Sequence, residues 1–393
     1  MENKIVYVDN NATTMVAPEV FETMKPFFCE RYGNASSIHT FGGSVAAEIE
    51  AARRKVAEFL NAKFRNDENQ ATEIIFTSCG TESDNSAIWS ALLSNPQRRK
   101  IVTSKVEHPA ILSLCKELVR RGYEVDYVGV DGSGKLDMAG LKEAVDQNTA
   151  IVSLMWANNE TGTIFPIKEA AEIAHAKGAL FHTDAVQAAG KIKIDLEDVR
   201  VDFLSISGHK LHAPKGVGIL YVRRGIRFRP FLIGGHQEKG RRGGTENVTS
   251  IIGLGKACDL AMNVEAEAKY VAMLRDRLEA GIRAKVPKIR INGDLTSRLP
   301  NTSSISFEYI EGEAILMLLD QYNICASSGS ACTTGSLEPS HVLRSMGLPY
   351  TAAHGTIRFS FSRYNTIEEV DFIVEKLPPV VARLRQMSPY WQE

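Results

Sequence analysis

The stretch that decides the fold runs from residue 150 to residue 210. Ala150-Ile151-Val152-Ser153-Leu154-Met155 is a short apolar run. Pro166–Lys177 has helical spacing and stops at Gly178, where a left-handed C′ glycine belongs. Ala179-Leu180-Phe181-His182 is apolar again, and so is Phe203-Leu204-Ser205-Ile206-Ser207. Apolar runs of about four to eight residues, separated by helical patterns, read as buried strands joined by crossover helices. The same alternation extends outward. Upstream lie strand candidates Glu73–Thr77, Lys100–Thr103 and Glu124–Val128, with helices Glu82–Leu93, Pro109–Arg121 and Leu136–Val145 between them; Val217–Val222 follows downstream. This predicts an α/β fold: a mostly parallel sheet between helices.

From about residue 260 the pattern changes. A long amphipathic helix, Glu265–Lys285, precedes strands near Arg290 and at Ser303–Phe307, a helix at Glu313–Asp320, a strand at Gly355–Phe361 and a last helix from Thr366. The expectation is a large domain over 1–260, whose N-terminal segment is free to join its neighbour, and a smaller α+β domain over 261–393.

The 393 residues are enough to bury a large core without disulfide or metal support. Lys+Arg total 46 and Asp+Glu 47, so the net charge of −1 offers no basic surface for nucleic acid or anionic membrane. No apolar run approaches the ~20 residues of a membrane helix, and the N-terminus lacks a signal-peptide pattern. The expected location is therefore cytoplasmic. The six cysteines form no C-x-x-C pair and are expected to be free thiols.

In an open parallel sheet, ligands bind at the carboxyl ends of the strands. Three segments there carry chemistry. Ser78-Cys79-Gly80-Thr81-Glu82 opens a helix: Gly80 admits a ligand to the backbone, Thr81 is expected to cap with its hydroxyl, and a helix N-terminus favours an anion. Asp184 ends a buried strand, in a place that also suits an ordinary turn aspartate. Lys210 lies in the tight turn Gly208-His209-Lys210-Leu211-His212, where an amine can lose its proton and act as a nucleophile. An anion-binding helix start, a strand-end Asp and a recessed Lys are the parts a pyridoxal phosphate enzyme requires. His108, after another strand, is placed either to stack on the ring or simply to start a helix.

With these segments in view, the sequence resembles the class V aminotransferase-like, fold-type I pyridoxal phosphate enzymes, and among them the cysteine desulfurases of NifS type. The resemblance rests on Tyr7–Thr14, Gly80–Ser83, Glu107-His108-Pro109, Asn158–Gly162, His182–Gln187, Ser207–Lys210, Arg241–Asn247 and Ser327–Cys332. It implies that Lys210 carries the cofactor as an imine and moves protons. It implies that Asp184 pairs with the pyridine nitrogen, Gln187 bonds the ring oxygen O3′, His108 stacks, and Asn159 lies near O3′ and the substrate. Gly80, Thr81, Ser207, Gly208 and His209 would hold the phosphate, with Thr245 reaching it from the other subunit of a homodimer. Arg358 would grip the carboxylate of L-cysteine, and Cys332 would take the sulfur as a persulfide. An iron–sulfur scaffold protein would accept that sulfur for cluster assembly, that of nitrogenase included, and Cys332 is also the candidate for a transient iron–sulfur contact.

The sequence departs from the family at Ala35, where proline is usual, and in the polar loop Arg65–Gln70. The ending at Glu393, without a longer tail, favours the NifS type. Ala326–Ser336 is rich in Gly and Ser, a composition that suits a mobile loop able to carry a thiol between cofactor and acceptor. The other five cysteines read as packing residues. Two alternatives stay open: a selenocysteine lyase or another class V enzyme, and a metal or iron–sulfur carrier using Cys332, His341, His209 and His212.

Overall fold

A computed structural model describes residues 4–62, 71–328 and 339–391. The chain begins with β1 (Val6–Tyr7) and then builds the large sheet from β2 (Ile74–Thr77), β3 (Lys100–Ser104), β4 (Glu124–Val128), β5 (Thr149–Met155), β6 (Leu180–Asp184), β7 (Phe203–Ser207) and β8 (Gly218–Val222). Their order is β2-β8-β7-β6-β5-β3-β4. β8 runs antiparallel to both neighbours and the other pairings along β7-β6-β5-β3-β4 are parallel, so six strands end on one edge.

β3, β5 and β7 are buried at every residue, as strands covered on both faces must be. Successive side chains alternate between faces. Ile74, Val102, Val152, Leu204 and Ile219 therefore pack in one core, and their neighbours Ile75, Ile101, Ile151, Phe203 and Leu220 in another. The first core is covered by helices including Thr40–Phe59, Ile167–Ala176 and Val248–Leu260, the second by Gly80–Ser94 and Pro109–Arg120.

A second sheet contains β9 (Ile289–Asn292), β10 (Thr302–Phe307), β12 (Ser327–Ser328) and β13 (Thr356–Ser360) in the antiparallel order β12-β13-β10-β9; β11 (Ile324–Cys325) pairs instead with β1, in parallel. Helices Val264–Lys285 and Ile367–Met387 share its core, which also takes in Val6 and Val8. The N-terminal strand thus belongs to this core. The chain then turns back to the large sheet, where the Thr14 N–H donates to the His209 carbonyl at 3.0 Å. That return sets Asp9–Thr13 across the strand-end edge.

The expected strands of the large sheet are present with ends shifted by a residue or two, and Gly122 and Gly178 have the expected positive φ of 81° and 71°. Thr366 caps the last helix in a capping box with Glu369. Helix Thr40–Phe59 was not anticipated, because Gly42 and Gly43 in its first turn dilute the apolar period. Ser327–Ser328, expected to open a mobile loop, form a strand whose Ser327 lies opposite Arg358. The polar loop Arg65–Gln70 and Cys332 lie outside the described residues. Among the described residues, no helix is long and apolar enough to cross a membrane.

Candidate active site

Lys210 ends the short turn Gly208–Lys210 directly after β7. Its half-buried amine donates to the backbone carbonyls of Asn11 at 2.5 Å and Ala12 at 2.6 Å. Burial, then the positive charges of Lys191 and Arg358, lower its pKa to about 7, with Asp9 and Asp184 opposing. Near neutrality much of this lysine is therefore a free amine, the nucleophilic form.

Asp184 is the last residue of β6 and is 6 % exposed. It accepts from the Val186 N–H at 2.9 Å and forms no ion pair among the described residues. Burial raises its pKa; His108, the Val186 N–H and Lys210 oppose that rise. Asp84 is buried with its Oδ1 3.5 Å from His182 Nε2 and without a hydrogen bond, and burial together with the charge of Asp184 raises its pKa well above the ordinary aspartate value. Asp84 is accordingly the member of the pair that keeps its proton. Buried His182, bonded to Ser153 Oγ at 2.8 Å and Ser205 Oγ at 2.9 Å, stays neutral because burial lowers its pKa to about 3.

His108 is the N-cap of helix Pro109–Arg120, its Nδ1 accepting from the Ala110 N–H at 3.2 Å. Its outer edge meets solvent, yet the protein packed behind it lowers its pKa; Asp184 opposes this and Lys210 adds to it. The two roles open to it, helix start and ring partner, are compatible, because capping uses only one nitrogen.

Gly80 opens helix Gly80–Ser94. A Cβ there would lie 2.9 Å from Val186 Cγ2 and 3.5 Å from Ser207 Cβ, so only glycine leaves this recess open. The expectation that Thr81 caps the helix is wrong. Cys79, in extended conformation, is the N-cap and makes no side-chain capping bond, while Thr81 is already helical and exposed. The first N–H groups of the helix are thus left without a side-chain cap. Ser207 and Gly208 are buried beside this recess, and His209 Nδ1 lies 3.0 Å from Thr13 Oγ1.

Gln187 is 6 % exposed and donates through Nε2 to the Asn11 carbonyl at 3.0 Å. The Asn159 carbonyl accepts from Asn11 Nδ2 at 3.2 Å and from Arg358 Nη1 at 3.0 Å. Arg358, 2 % exposed on β13, also donates to Asp9 Oδ1 at 2.8 Å, and its Nε is buried without a partner. One network thus joins Lys210, Gln187, Asn11, Asn159 and Arg358. Thr245 is not part of it: it is exposed and lines another recess with Ser78, Arg242 and Asn247.

Asp9 and Asn11, inside the Tyr7–Thr14 segment, carry no individual role in the sequence reading, and Asp84 and Lys191 carry none either. The first two stand in a polar turn directly after the apolar Val6–Val8, which was a usable signal. Asp84 sits in an ordinary helical pattern and left none. Three histidines proposed for a metal carrier are otherwise engaged: His209 with Thr13, His212 with the Met15 carbonyl and His341 with the Glu107 carbonyl. Among the described residues there is no cluster of three metal-ligating side chains.

These residues fit pyridoxal phosphate. The helix start is uncapped, a Cβ at position 80 would fill the recess beside it, the amine is poised, and a buried carboxylate lacks a cation. The aminotransferase class-V profile matches residues 6–373. The cysteine desulfurase NifS of Azotobacter vinelandii is 57 % identical over 387 residues, covering 98 % of this chain and 95 % of that protein. A solved NifS-like protein superposes with a TM-score of 0.89 at 40 % identity, covering 97 % of this chain and all (100 %) of the other. A structure described as SspA in complex with cysteine has a TM-score of 0.80 at 33 % identity over 92 % of this chain and 99 % of its own. The chain belongs to the aminotransferase class-V family and, within it, to the cysteine desulfurases.

Proposed function

We propose that this protein is a pyridoxal phosphate-dependent cysteine desulfurase that converts L-cysteine to L-alanine and leaves the sulfur as a persulfide on Cys332. The observation that carries the reading is that half-buried Lys210 and buried Asp184 follow and end neighbouring parallel strands at one sheet edge, with Arg358, an arginine suited to a carboxylate, in the same hydrogen-bond network as Lys210. When bound, pyridoxal phosphate supplies the electron sink for breaking the carbon–sulfur bond.

The chain supplies the rest. Lys210 would hold the cofactor covalently and move protons. Asp184 would keep its pyridine nitrogen protonated through a charge-assisted bond. His108 would stack on the ring, with Gln187 and Asn159 toward its O3′ side. The uncapped amides at Gly80 and Thr81, with Ser207, Gly208 and His209, would receive the phosphate. The Arg358 fork takes the substrate carboxylate. The Cys332 thiolate would attack the substrate sulfur, forming the S–S bond as the carbon–sulfur bond breaks with its electron pair left on carbon; that carbon then takes a proton and becomes the methyl group of alanine.

The proposal includes a cytoplasmic homodimer in which the partner's Thr245 completes each phosphate site, a division of the chain near residue 260, and an iron–sulfur scaffold as sulfur acceptor. The iron–sulfur role of Cys332 would be transient. Borohydride reduction tests the reading directly. It should abolish the visible band of the purified protein and leave the cofactor's mass on the peptide containing Lys210. A band that survives reduction, or mass on another lysine, would refute it.

A further inference from the structure

Beyond its charge acting on Lys210, Lys191 has no role in the functions above, yet it stands behind the site. Its Nζ donates to the Gln187 carbonyl at 3.1 Å and to Gln187 Oε1 at 3.3 Å. On its other side, Gln187 Nε2 donates to the Asn11 carbonyl, which also accepts from Lys210. Lys191 and Lys210 line one cavity together with Glu267 and Arg363. The turn that brings Lys191 there requires Gly190: its φ is +71°, and a Cβ would fall 2.4 Å from Leu211 Cδ2.

A glutamine amide can turn over with little change in shape, exchanging donor for acceptor. An ammonium has donors only, so the end of the amide that faces it must be oxygen. We propose that Lys191 is a positioning residue for the cofactor: it locks the Gln187 amide so that the N–H donor, and not the carbonyl, is turned toward the site. This rests on the pyridoxal phosphate reading above. Freed from Lys191, Gln187 could present its carbonyl to the negatively charged ring oxygen, and cofactor binding would lose a bond and gain a repulsion.

Burial, with the charge of Arg358, lowers the Lys191 pKa to about 8 against the pull of Glu267, so it is an ammonium below that value. Glu267 and Arg358 act on Lys191; Lys191, Arg358, Asp9 and Asp184 act on Lys210. Glu267 is shared with Arg363, whose Nη2 lies 2.9 Å away. Removing Lys191 therefore removes a positive charge as well as the lock, and the test must separate the two.

The experiment is a pH titration of the visible absorption band, with the cofactor dissociation constant, for wild type, Lys191→Met, Lys191→Arg, Gln187→Ala and the Lys191→Met/Gln187→Ala double variant. Loss of a donor to the ring oxygen raises the basicity around it. Lys191→Met should shift the midpoint up by about one pH unit and weaken cofactor binding about tenfold, the equivalent in one free-energy step. Lys191→Arg, which keeps the donors and the charge, should restore most of both. With Gln187 already alanine, Lys191→Met should add much less than it does alone. If Lys191→Met does not fold, Lys191→Gln is judged against Gln187→Ala by the same criteria. An unshifted midpoint overturns the proposal. So does a full shift that persists in the double variant, which would mean that Lys191 acts by charge alone. A wild-type protein without a borohydride-sensitive band would instead sink the functional reading, and this inference with it.

Discussion

At the scale of single residues, the site is a set of groups held away from their solution protonation states by burial and by one another. Lys210 is the clearest case, with a pKa lowered to about 7. A lysine whose pKa is depressed is cationic below that value and a free amine above it. Recombination of cofactor-free protein with pyridoxal phosphate should therefore accelerate as pH rises through about 7, whereas an ordinary lysine would show the rise near 10.5. Stopped-flow absorbance at several pH values checks this. Asp184 makes the complementary prediction. Asp184→Ala should retain cofactor through the phosphate recess while kcat falls by several orders of magnitude. Wild-type turnover in that variant would remove Asp184 from its role.

At the scale of elements, position in the sheet does the selecting. Strands β2, β3, β5, β6 and β7 deliver Gly80, His108, Asn159, Asp184 and Lys210 to one edge because they run in one direction. That much was legible in the sequence, since continuous apolar runs mark strands buried on both faces and the residue after each run is thereby fixed. The network through Asp9 and Asn11 was not legible in the same way. It depends on a two-residue strand, β1, that pairs with β11, and two residues are too few to leave a period. The Thr81 cap failed for a local reason. The helix starts two residues earlier than a Thr81 cap requires, so Cys79 takes the N-cap position and makes no side-chain capping bond. The close approach at Gly80 gives the test at this scale. Gly80→Ala should leave the fold intact, because Val186 can shift slightly. It should nevertheless weaken cofactor retention by about tenfold, or about 1.4 kcal/mol, by narrowing the recess beside Ser207. Equilibrium dialysis measures the affinity and thermal melting checks the fold; unchanged affinity would contradict the assignment of the recess.

At the scale of the whole molecule, the second core and the large sheet meet across the site: Arg358 comes from β13 and Lys210 from the turn after β7. The proposed homodimer gives the test at this scale. Thr245 is exposed, and Phe231, Leu232 and Ile233 stand exposed nearby in sequence, Ile233 at 89 %. A dimer covering this segment should be disrupted by Ile233→Asp, with loss of cofactor in proportion. Sedimentation of a wild-type monomer with full cofactor occupancy would exclude the shared phosphate site. The central claim is sulfur removal from L-cysteine to Cys332, and one measurement reaches it most directly. Wild type, Cys332→Ala and Cys325→Ala are each mixed with L-cysteine, alanine is quantified, and the cysteine-containing peptides are weighed. The account predicts alanine and an added sulfur on the Cys332 peptide for wild type and Cys325→Ala. For Cys332→Ala it predicts a retained cofactor band but neither alanine nor persulfide. Normal alanine release by Cys332→Ala, or the extra sulfur on Cys325, would contradict it.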